Sequence, residues 1–267
     1  MTDIEQLKER MKDLWALGDY PEVAKRFVPA AEALVAAAGI GPGDRVLDVA
    51  AGDGNVAVAA AATGAHVTAS DFAPSLVAAG RERTSALGLD VRWDQADVEA
   101  LPYADGTFDA VTSAFGLMFA PRPEVAAAEA FRVVRPGGVV GLAAWTPDGF
   151  TGQITELMSE YLPVPMGTAH PIDWGIEATV RRRLAPHCDG LAVTRGAITW
   201  EFPSIDDTLA WQEANFGALV AARRALGDRY AELRARFAEL VAEWNRGDGG
   251  DVRLPAAYLI VVARRDR

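Results

Sequence analysis

A short apolar run that ends in a glycine-rich turn constrains the fold of this chain most. Residues 46–49 read Val-Leu-Asp-Val, and Ala-Ala-Gly-Asp-Gly-Asn follows at 50–55. An alanine-rich stretch with helical character then continues to about residue 63. A strand that turns sharply into a helix needs glycine, which adopts positive φ readily and lets a ligand approach the backbone. The segment therefore predicts a strand, a ligand-binding turn and a helix.

The same alternation continues along the chain. Further strands are predicted at 66–70, 90–95, 108–114, 138–145, 191–202 and 257–264, and helices at 74–87, 123–134 and 206–245. Strands that alternate with helices indicate a parallel sheet covered on both faces. We therefore predict an α/β fold with a Rossmann-like, doubly wound, mostly parallel seven-stranded sheet, N-terminal helices and a helical lid or insertion.

Three regions are expected. Residues 1–40 have helical spacing at 4–17 and 21–38 and predict an N-terminal helical cap. Residues 41–146 form the predicted cofactor-binding core. Residues 147–267 are predicted to be the substrate-determining lid together with the last strands of the same sheet. The part at 147–190 contains five prolines and predicts loops and short helices.

Charge and composition narrow the function. The net charge is −11, and an acidic surface repels phosphate backbones, which argues against a nucleic-acid partner. Cys188 is the single cysteine, so no internal disulfide can form. The charged N-terminus is unlike a secretory signal, and no uncharged apolar run is long enough to enter a membrane. These features predict a cytoplasmic protein that acts on a small molecule.

Two interpretations of the glycine turn compete. Gly52-x-Gly54-x-x-Ala57 fits a dinucleotide-binding pattern, and Asp71 lies where an NAD-binding acid is expected. On the turn alone, NAD binding stays open.

Three other features favour a different cofactor. Asp48, at the end of the first strand, is suited to an amino acid's ammonium group and would repel a pyrophosphate. Asp97 is suited to accept a hydrogen bond from an adenine amino group. A Tyr-x-x-x-Lys pair, common in hydride-transfer enzymes, does not occur in the sequence.

From about residue 15 to residue 145 the sequence resembles the class I S-adenosylmethionine-dependent methyltransferases, especially the methyltransferase-11 or ubiquinone-biosynthesis-like group. Residues 46–54 resemble motif I, 67–71 motif II, 96–103 with 105–109 the adenine-side motif, and 132–138 the turn into strand five. One departure is Ala50, which replaces the first glycine of motif I. We expect alanine to be tolerated there with a negative φ.

The resemblance implies how the cofactor is held. Asp71 would accept hydrogen bonds from both ribose hydroxyls, and Phe72 would pack on the adenine. Asp97 would bind the adenine amino group, and Val98 would offer a backbone N–H to the ring.

The methionine end would be lined by Asp48, Ala50 and Gly52, with Ser113 and Phe115 as the floor beside the sulfonium. An N-terminal segment with Trp15 and Tyr20 would fold over the cofactor, although packing on the sheet explains it equally well.

The predicted reaction is methyl transfer to O, N or C of a small molecule, of quinone, isoprenoid or secondary-metabolite type. A general base is needed only if the acceptor keeps a proton, and His170 in the proline-rich segment is the preferred candidate. His187, Tyr161, Glu156 and Glu160 are further candidates. No spacing of ligands predicts a metal. The alternatives are a non-catalytic S-adenosylmethionine-binding protein and an NAD(P)-dependent oxidoreductase, and a homodimer is among the states left open.

Overall fold

A computed structural model describes residues 3–162 and 168–266, and in them seven strands form one sheet. The strands are β1 (Arg45–Val49), β2 (His66–Asp71), β3 (Val91–Gln95), β4 (Phe108–Ala114), β5 (Val134–Trp145), β6 (Cys188–Phe202) and β7 (Val252–Arg265). They lie in the order β3-β2-β1-β4-β5-β7-β6. Neighbouring strands from β3 to β5 are parallel, whereas β7 runs antiparallel to both β5 and β6. The prediction of a Rossmann-like, mostly parallel seven-stranded sheet is confirmed.

The strand order reverses at β1, which lies between β2 and β4. The turns that leave β1 and β4 therefore diverge at the carboxyl edge of the sheet. In open α/β sheets a ligand binds in the crevice that opens at such a point. The fold thus places the glycine turn of the sequence at the expected site.

Eleven α-helices occur in the described residues. They are α1 (Asp3–Trp15), α2 (Tyr20–Ala24), α3 (Val28–Ala38), α4 (Asn55–Ala62), α5 (Pro74–Ala86), α6 (Pro123–Val133), α7 (Phe150–Tyr161), α8 (Glu177–Leu184), α9 (Ile205–Asn215), α10 (Gly217–Leu226) and α11 (Tyr230–Trp244). Helices α3 to α6 contact the sheet, and α7 and α11 contact each other and β7. Among these helices none has the length and apolar character needed to cross a bilayer.

The region after β5 differs in detail from the sequence-based prediction. Residues 147–190 contain α7, a helix of 12 residues, because the prolines of this region fall outside its bounds. The helical stretch predicted at 206–245 is three helices. It breaks at Phe216, where the backbone is extended, and at Gly227, where φ is +54°.

One tryptophan supports both α5 and the glycine turn. Trp93 of β3 is buried, and its Nε1 donates a hydrogen bond to Thr84 Oγ1 of α5 at 3.1 Å. A Cβ at Gly80 of α5 would lie 2.1 Å from the Trp93 ring, and a Cβ at Gly54 would lie 2.8 Å from it. Both glycines are therefore required for close packing on the same indole.

Gly80→Ala should destabilise the protein, because the added methyl group overlaps a buried ring that has no room to move. We expect urea unfolding to show a loss of about 1–2 kcal/mol in the free energy of unfolding, after the helix-propensity gain of alanine is included. Gly41→Ala is the control, since a Cβ there meets no atom within 4 Å. Equal stability of the two variants would contradict this packing.

Candidate active site

The turn after β1 adopts positive φ at three positions. Ala50 has φ +49°, Gly52 +60° and Gly54 +91°. The condition under which alanine was expected to be tolerated, a negative φ, is not met at Ala50, because the chain reverses directly at the end of the strand. A Cβ at Gly116 would lie 2.2 Å from the Ala50 carbonyl oxygen, so the loop after β4 approaches the turn as closely as glycine allows. The left-handed backbone conformation of Ala50 costs about 1–2 kcal/mol of folding free energy, and the surrounding packing must offset this cost.

Asp71 ties the turn to the tip of β2. Its Oδ2 accepts a hydrogen bond from the Gly52 N–H at 2.9 Å, and its Oδ1 accepts one from the Ala73 N–H at 2.9 Å. The carboxyl group is buried, and burial raises its pKa to about 6 although these backbone donors act in the opposite direction. The residue also lines a cavity at the edge of the sheet.

Two predicted site residues lie behind the cavity wall. Asp48 is buried, and its Oδ2 accepts a hydrogen bond from the Ala57 N–H of α4 at 3.0 Å. Burial raises its pKa to about 8. Ser113 is also buried, and its Oγ accepts a hydrogen bond from the Leu117 N–H at 2.9 Å. Neither residue lines the cavity, so their predicted contacts with the cofactor stay predictions.

The first cavity runs along the carboxyl edge of β1 and β2. It is lined by Tyr20, Ala50, Gly52, Asp71, Phe72, Asp97, Val98 and Phe115, all predicted to bind the cofactor, together with Lys8, Met11, Trp15, Leu76, Ala96, Gly116, Phe119, Ala120 and Pro121. The structure thus brings eight of the ten predicted cofactor residues to one cavity.

Lys8 of α1 is a site residue that the sequence did not indicate. Its Nζ lies 2.6 Å from Asp97 Oδ2 and 2.5 Å from Glu99 Oε2. The Glu99 side chain is fully buried, and Arg122 binds it through its backbone N–H at 2.6 Å and its Nε at 2.8 Å. Because α1 has no buried residue of its own, this ion-pair cluster holds the helix over the end of the cavity that Asp97 lines.

A second cavity adjoins the first and has a volume of about 240 Å³. It lies between α1, α7, α9 and α10, and Met11, Trp15, Tyr20, Phe115 and Phe119 line both cavities. Five residues of the N-terminal segment and the loop after β4 therefore form a wall shared by the two cavities.

Tyr20 and Phe115 are packed tightly in this shared wall. A Cβ at Gly52 would lie 2.5 Å from the Tyr20 ring, and Trp15 meets that ring edge-on at 5.6 Å. The Phe115 ring stacks on Trp145 with centroids 3.8 Å apart. Burial and the nearby carboxyl groups raise the pKa of Tyr20, so its hydroxyl stays protonated and can donate a hydrogen bond.

Six phenylalanine and tryptophan residues occur from residue 150 to residue 216, and two of them line the second cavity. Trp200 and Phe216 line it, whereas Phe150, Trp174, Phe202 and Trp211 are absent from its lining. The last four pack against the core of the molecule.

The predicted bases lie outside both cavities. His170 Nε2 is 3.0 Å from Ser159 Oγ, which donates its proton to the Thr155 carbonyl oxygen. Nε2 of His170 therefore carries the hydrogen in the neutral ring. Among the alternatives, Glu160 pairs with Arg236, Tyr161 bonds Glu232, and His187 stacks on Phe131. The role of His170 as a base stays a prediction. The described residues contain no cluster of three or more histidine, cysteine, aspartate or glutamate side chains that could hold a metal ion.

Together the sheet and the cavities define an α/β protein of the doubly wound, Rossmann-like class. The carboxylate at the tip of β2, the glycine turn after β1 and the topological switch between them are the features of that class.

Comparisons with known proteins identify the family within this class. A family model described as a methyltransferase domain matches residues 46–138. The uncharacterised protein Rv1403c of Mycobacterium tuberculosis is 40% identical over 260 residues, 95% of this chain and 93% of its own. The demethylmenaquinone methyltransferase of Thermus thermophilus is 44% identical over 105 residues, 39% of this chain and 48% of that enzyme.

A solved structure shares the fold. BH2331 of Bacillus halodurans superposes with a TM-score of 0.61 at 19% identity, and the match covers 89% of this chain and 99% of that one. The chain belongs to the class I S-adenosylmethionine-dependent methyltransferases.

The raised pKa of Asp48 predicts a pH dependence of stability. The folded protein keeps a proton on Asp48 up to about pH 8, whereas the unfolded chain releases it near its ordinary value of 3.8. Between those values the folded state binds more protons, so the free energy of unfolding falls as the pH rises. Urea unfolding should show that the wild type loses about 1–3 kcal/mol relative to Asp48→Asn between about pH 5 and about pH 8.

Asp90→Asn, at an exposed position, is the control for this titration. Its difference from the wild type should be constant over the same pH range. A constant difference for Asp48→Asn as well would show that the carboxyl group is ionised in the folded protein.

Removing the Lys8 ammonium should loosen α1. Lys8→Met leaves the buried Glu99 carboxylate with Arg122 alone, and breaking such a cluster weakens the contact that holds the helix. Hydrogen–deuterium exchange should become at least several-fold faster across Asp3–Trp15. Lys12→Met is the matched control, because within residues 3–162 and 168–266 the Lys12 ammonium forms an ion pair only with Glu9 on the same helix. Equal exchange in the two variants would mean that apolar contacts alone hold α1.

Proposed function

We propose that this protein binds S-adenosylmethionine in the first cavity and transfers its methyl group to a small molecule held in the second. The observation that carries this proposal is the shared wall, in which Tyr20, Phe115 and three neighbours line both cavities. Two ligands held in cavities that share one wall would lie next to each other, as methyl transfer between them requires.

The residues of the first cavity fit this cofactor. Asp71 offers a buried carboxylate for the ribose hydroxyls, and Asp97 with the Val98 backbone would face the adenine. A Cβ at Gly52 would overlap the Tyr20 ring, and a Cβ at Gly116 would overlap the Ala50 carbonyl oxygen. Glycine at both positions avoids these overlaps beside the turn. Carboxylates and a backbone N–H suit an uncharged adenosyl group. They suit a pyrophosphate less well, because its negative charge would be repelled by the carboxylates.

The bound cofactor would supply an electrophilic methyl group on a sulfonium. For an in-line displacement the task of the chain is to align the acceptor and to exclude water. The aromatic side chains of the shared wall perform the second task, because they leave little room for solvent between the cavities. The helix α1 completes the enclosure.

The second cavity also bears on the alternatives. A non-catalytic binding protein would need no second cavity beside the first. The sequence similarity to demethylmenaquinone methyltransferase lies in about two-fifths of the chain, so it supports the cofactor more than the acceptor. A quinone-type or isoprenoid acceptor is consistent with the apolar lining of the second cavity.

Calorimetric titration with S-adenosylhomocysteine tests the cofactor. We expect micromolar binding by the wild type and binding weakened about tenfold to a hundredfold in Asp71→Asn, because a neutral amide replaces a charge-assisted acceptor. Asp90→Asn is the control on an exposed carboxylate and should bind as the wild type does.

Thermal melting of each variant checks that it is folded at the temperature of the titration. Binding of NADH in place of S-adenosylhomocysteine, or equal affinity in a folded Asp71→Asn, would overturn the proposed function.

A further inference from the structure

We propose that the acceptor is an uncharged, flat aromatic molecule that carries a carbonyl or ether oxygen in addition to the nucleophilic atom that takes the methyl group, and that Gln212 and Trp200 bind the carbonyl or ether oxygen. This inference rests on the proposed function, since it assigns the occupant of the second cavity. It follows from three observations on the lining of that cavity: its lack of charge, its unpaired donors and its stacked rings.

The first observation concerns charge. Among the described residues that line the second cavity, Tyr20 has the only ionisable side chain, and the others are apolar, aromatic, hydroxyl or amide residues. A charged acceptor would therefore lose its hydration without gaining an ion pair. That loss is large for any carboxylate, phosphate or ammonium group, so the lining selects against charged acceptors.

The second observation is a set of buried polar atoms without partners in the described part of the chain. Gln212 Nε2, Trp200 Nε1 and Thr151 Oγ1 form no hydrogen bond, and all three residues line the second cavity. The Gln212 and Trp200 side chains belong to residues that are only 1% exposed. Native proteins rarely leave such groups unpaired, and because these three atoms belong to residues of the cavity lining, a ligand atom in the cavity could pair with them.

The chemistry of these atoms sets the kind of ligand atom. An indole N–H can only donate, and the amide NH₂ also donates. The ligand must therefore present an acceptor, such as a carbonyl or ether oxygen, to both. The Thr151 hydroxyl can donate to the same kind of atom.

A ring contact just after α9 connects the segment of Gln212 to Trp200. Gln212 and Phe216 are four residues apart, so they share one face at the end of α9. The Phe216 ring stacks on Trp200 with centroids 5.7 Å apart. Phe216, which directly follows α9, thus connects the helix that carries Gln212 to Trp200 of β6.

The third observation is the shape of the aromatic lining. Phe115 stacks on Trp145, and Phe27 meets Phe115, Trp145 and Trp200 with centroids 5.3 to 6.1 Å apart. Flat rings stack on or meet edge-on with other flat rings, and gain more from them than from a flexible chain of equal area. The lining therefore favours a planar ring system.

Three probes of similar size separate these requirements. 1-Acetylnaphthalene has a flat ring and a carbonyl oxygen, 1-ethylnaphthalene lacks the oxygen, and 1-naphthoate carries a charge. Binding is measured on the full chain saturated with S-adenosylhomocysteine, by quenching of tryptophan fluorescence, since Trp15, Trp145 and Trp200 line the cavity. We expect the ketone to bind about tenfold more tightly than either of the other two.

Variants assign the preference to the two donors. In Gln212→Met and in Trp200→Phe the affinity for the ketone should fall close to the affinity for the hydrocarbon. Each substitution removes an N–H donor that would bind the ketone oxygen. Gln153→Met is the matched control, since Gln153 Nε2 already donates to the Pro147 carbonyl oxygen at 2.8 Å and lies outside the cavity lining. It should keep the full preference. If one cavity variant fails to bind S-adenosylhomocysteine through misfolding, the other carries the test.

The outcomes separate the two proposals. Failure of the wild type to bind S-adenosylhomocysteine overturns the proposed function. Normal binding of S-adenosylhomocysteine with no binding of the ketone, with equal binding of 1-naphthoate, or with an unchanged ketone preference in both cavity variants overturns the acceptor class alone.

Discussion

The two backbone hydrogen bonds accepted by Asp71 determine the geometry of the site. They hold the N–H groups of Gly52 and Ala73 on one carboxyl group, so the turn after β1 and the start of α5 share a single anchor. The same carboxyl group faces the first cavity. The residue predicted to bind the ribose is therefore also the residue that shapes the turn around it, and its burial raises its pKa to about 6.

The N-terminal helix completes both cavities from outside the sheet. Its anchor is the Lys8 ammonium, which meets two carboxylates, one of them on the fully buried Glu99 side chain. From this anchor α1 extends Met11 and Trp15 into the wall shared by the cavities. A helix without any buried residue thus gains a defined position from one charged cluster and one apolar wall.

The sequence predicted the sheet, the turn and most of the first cavity, because these features repeat a period, a glycine pattern or a recognised motif. It did not predict the positive φ of Ala50, since that angle depends on how closely the loop containing Gly116 approaches. Lys8 and Gln212 were missed for a related reason. An ion pair across 89 residues, or an amide on a buried helix face, leaves no periodic signal in the chain.

The shared wall has a thermodynamic consequence. Tyr20 lies against Gly52 on one side and lines the second cavity on the other, so in the proposed function its position is common to both ligands. An occupant that orders this wall removes conformational freedom that the other ligand would otherwise have to restrict. The two affinities are then coupled, and by linkage each ligand strengthens the other by the same factor. Such a wall makes a protein retain a pair of ligands better than either one alone.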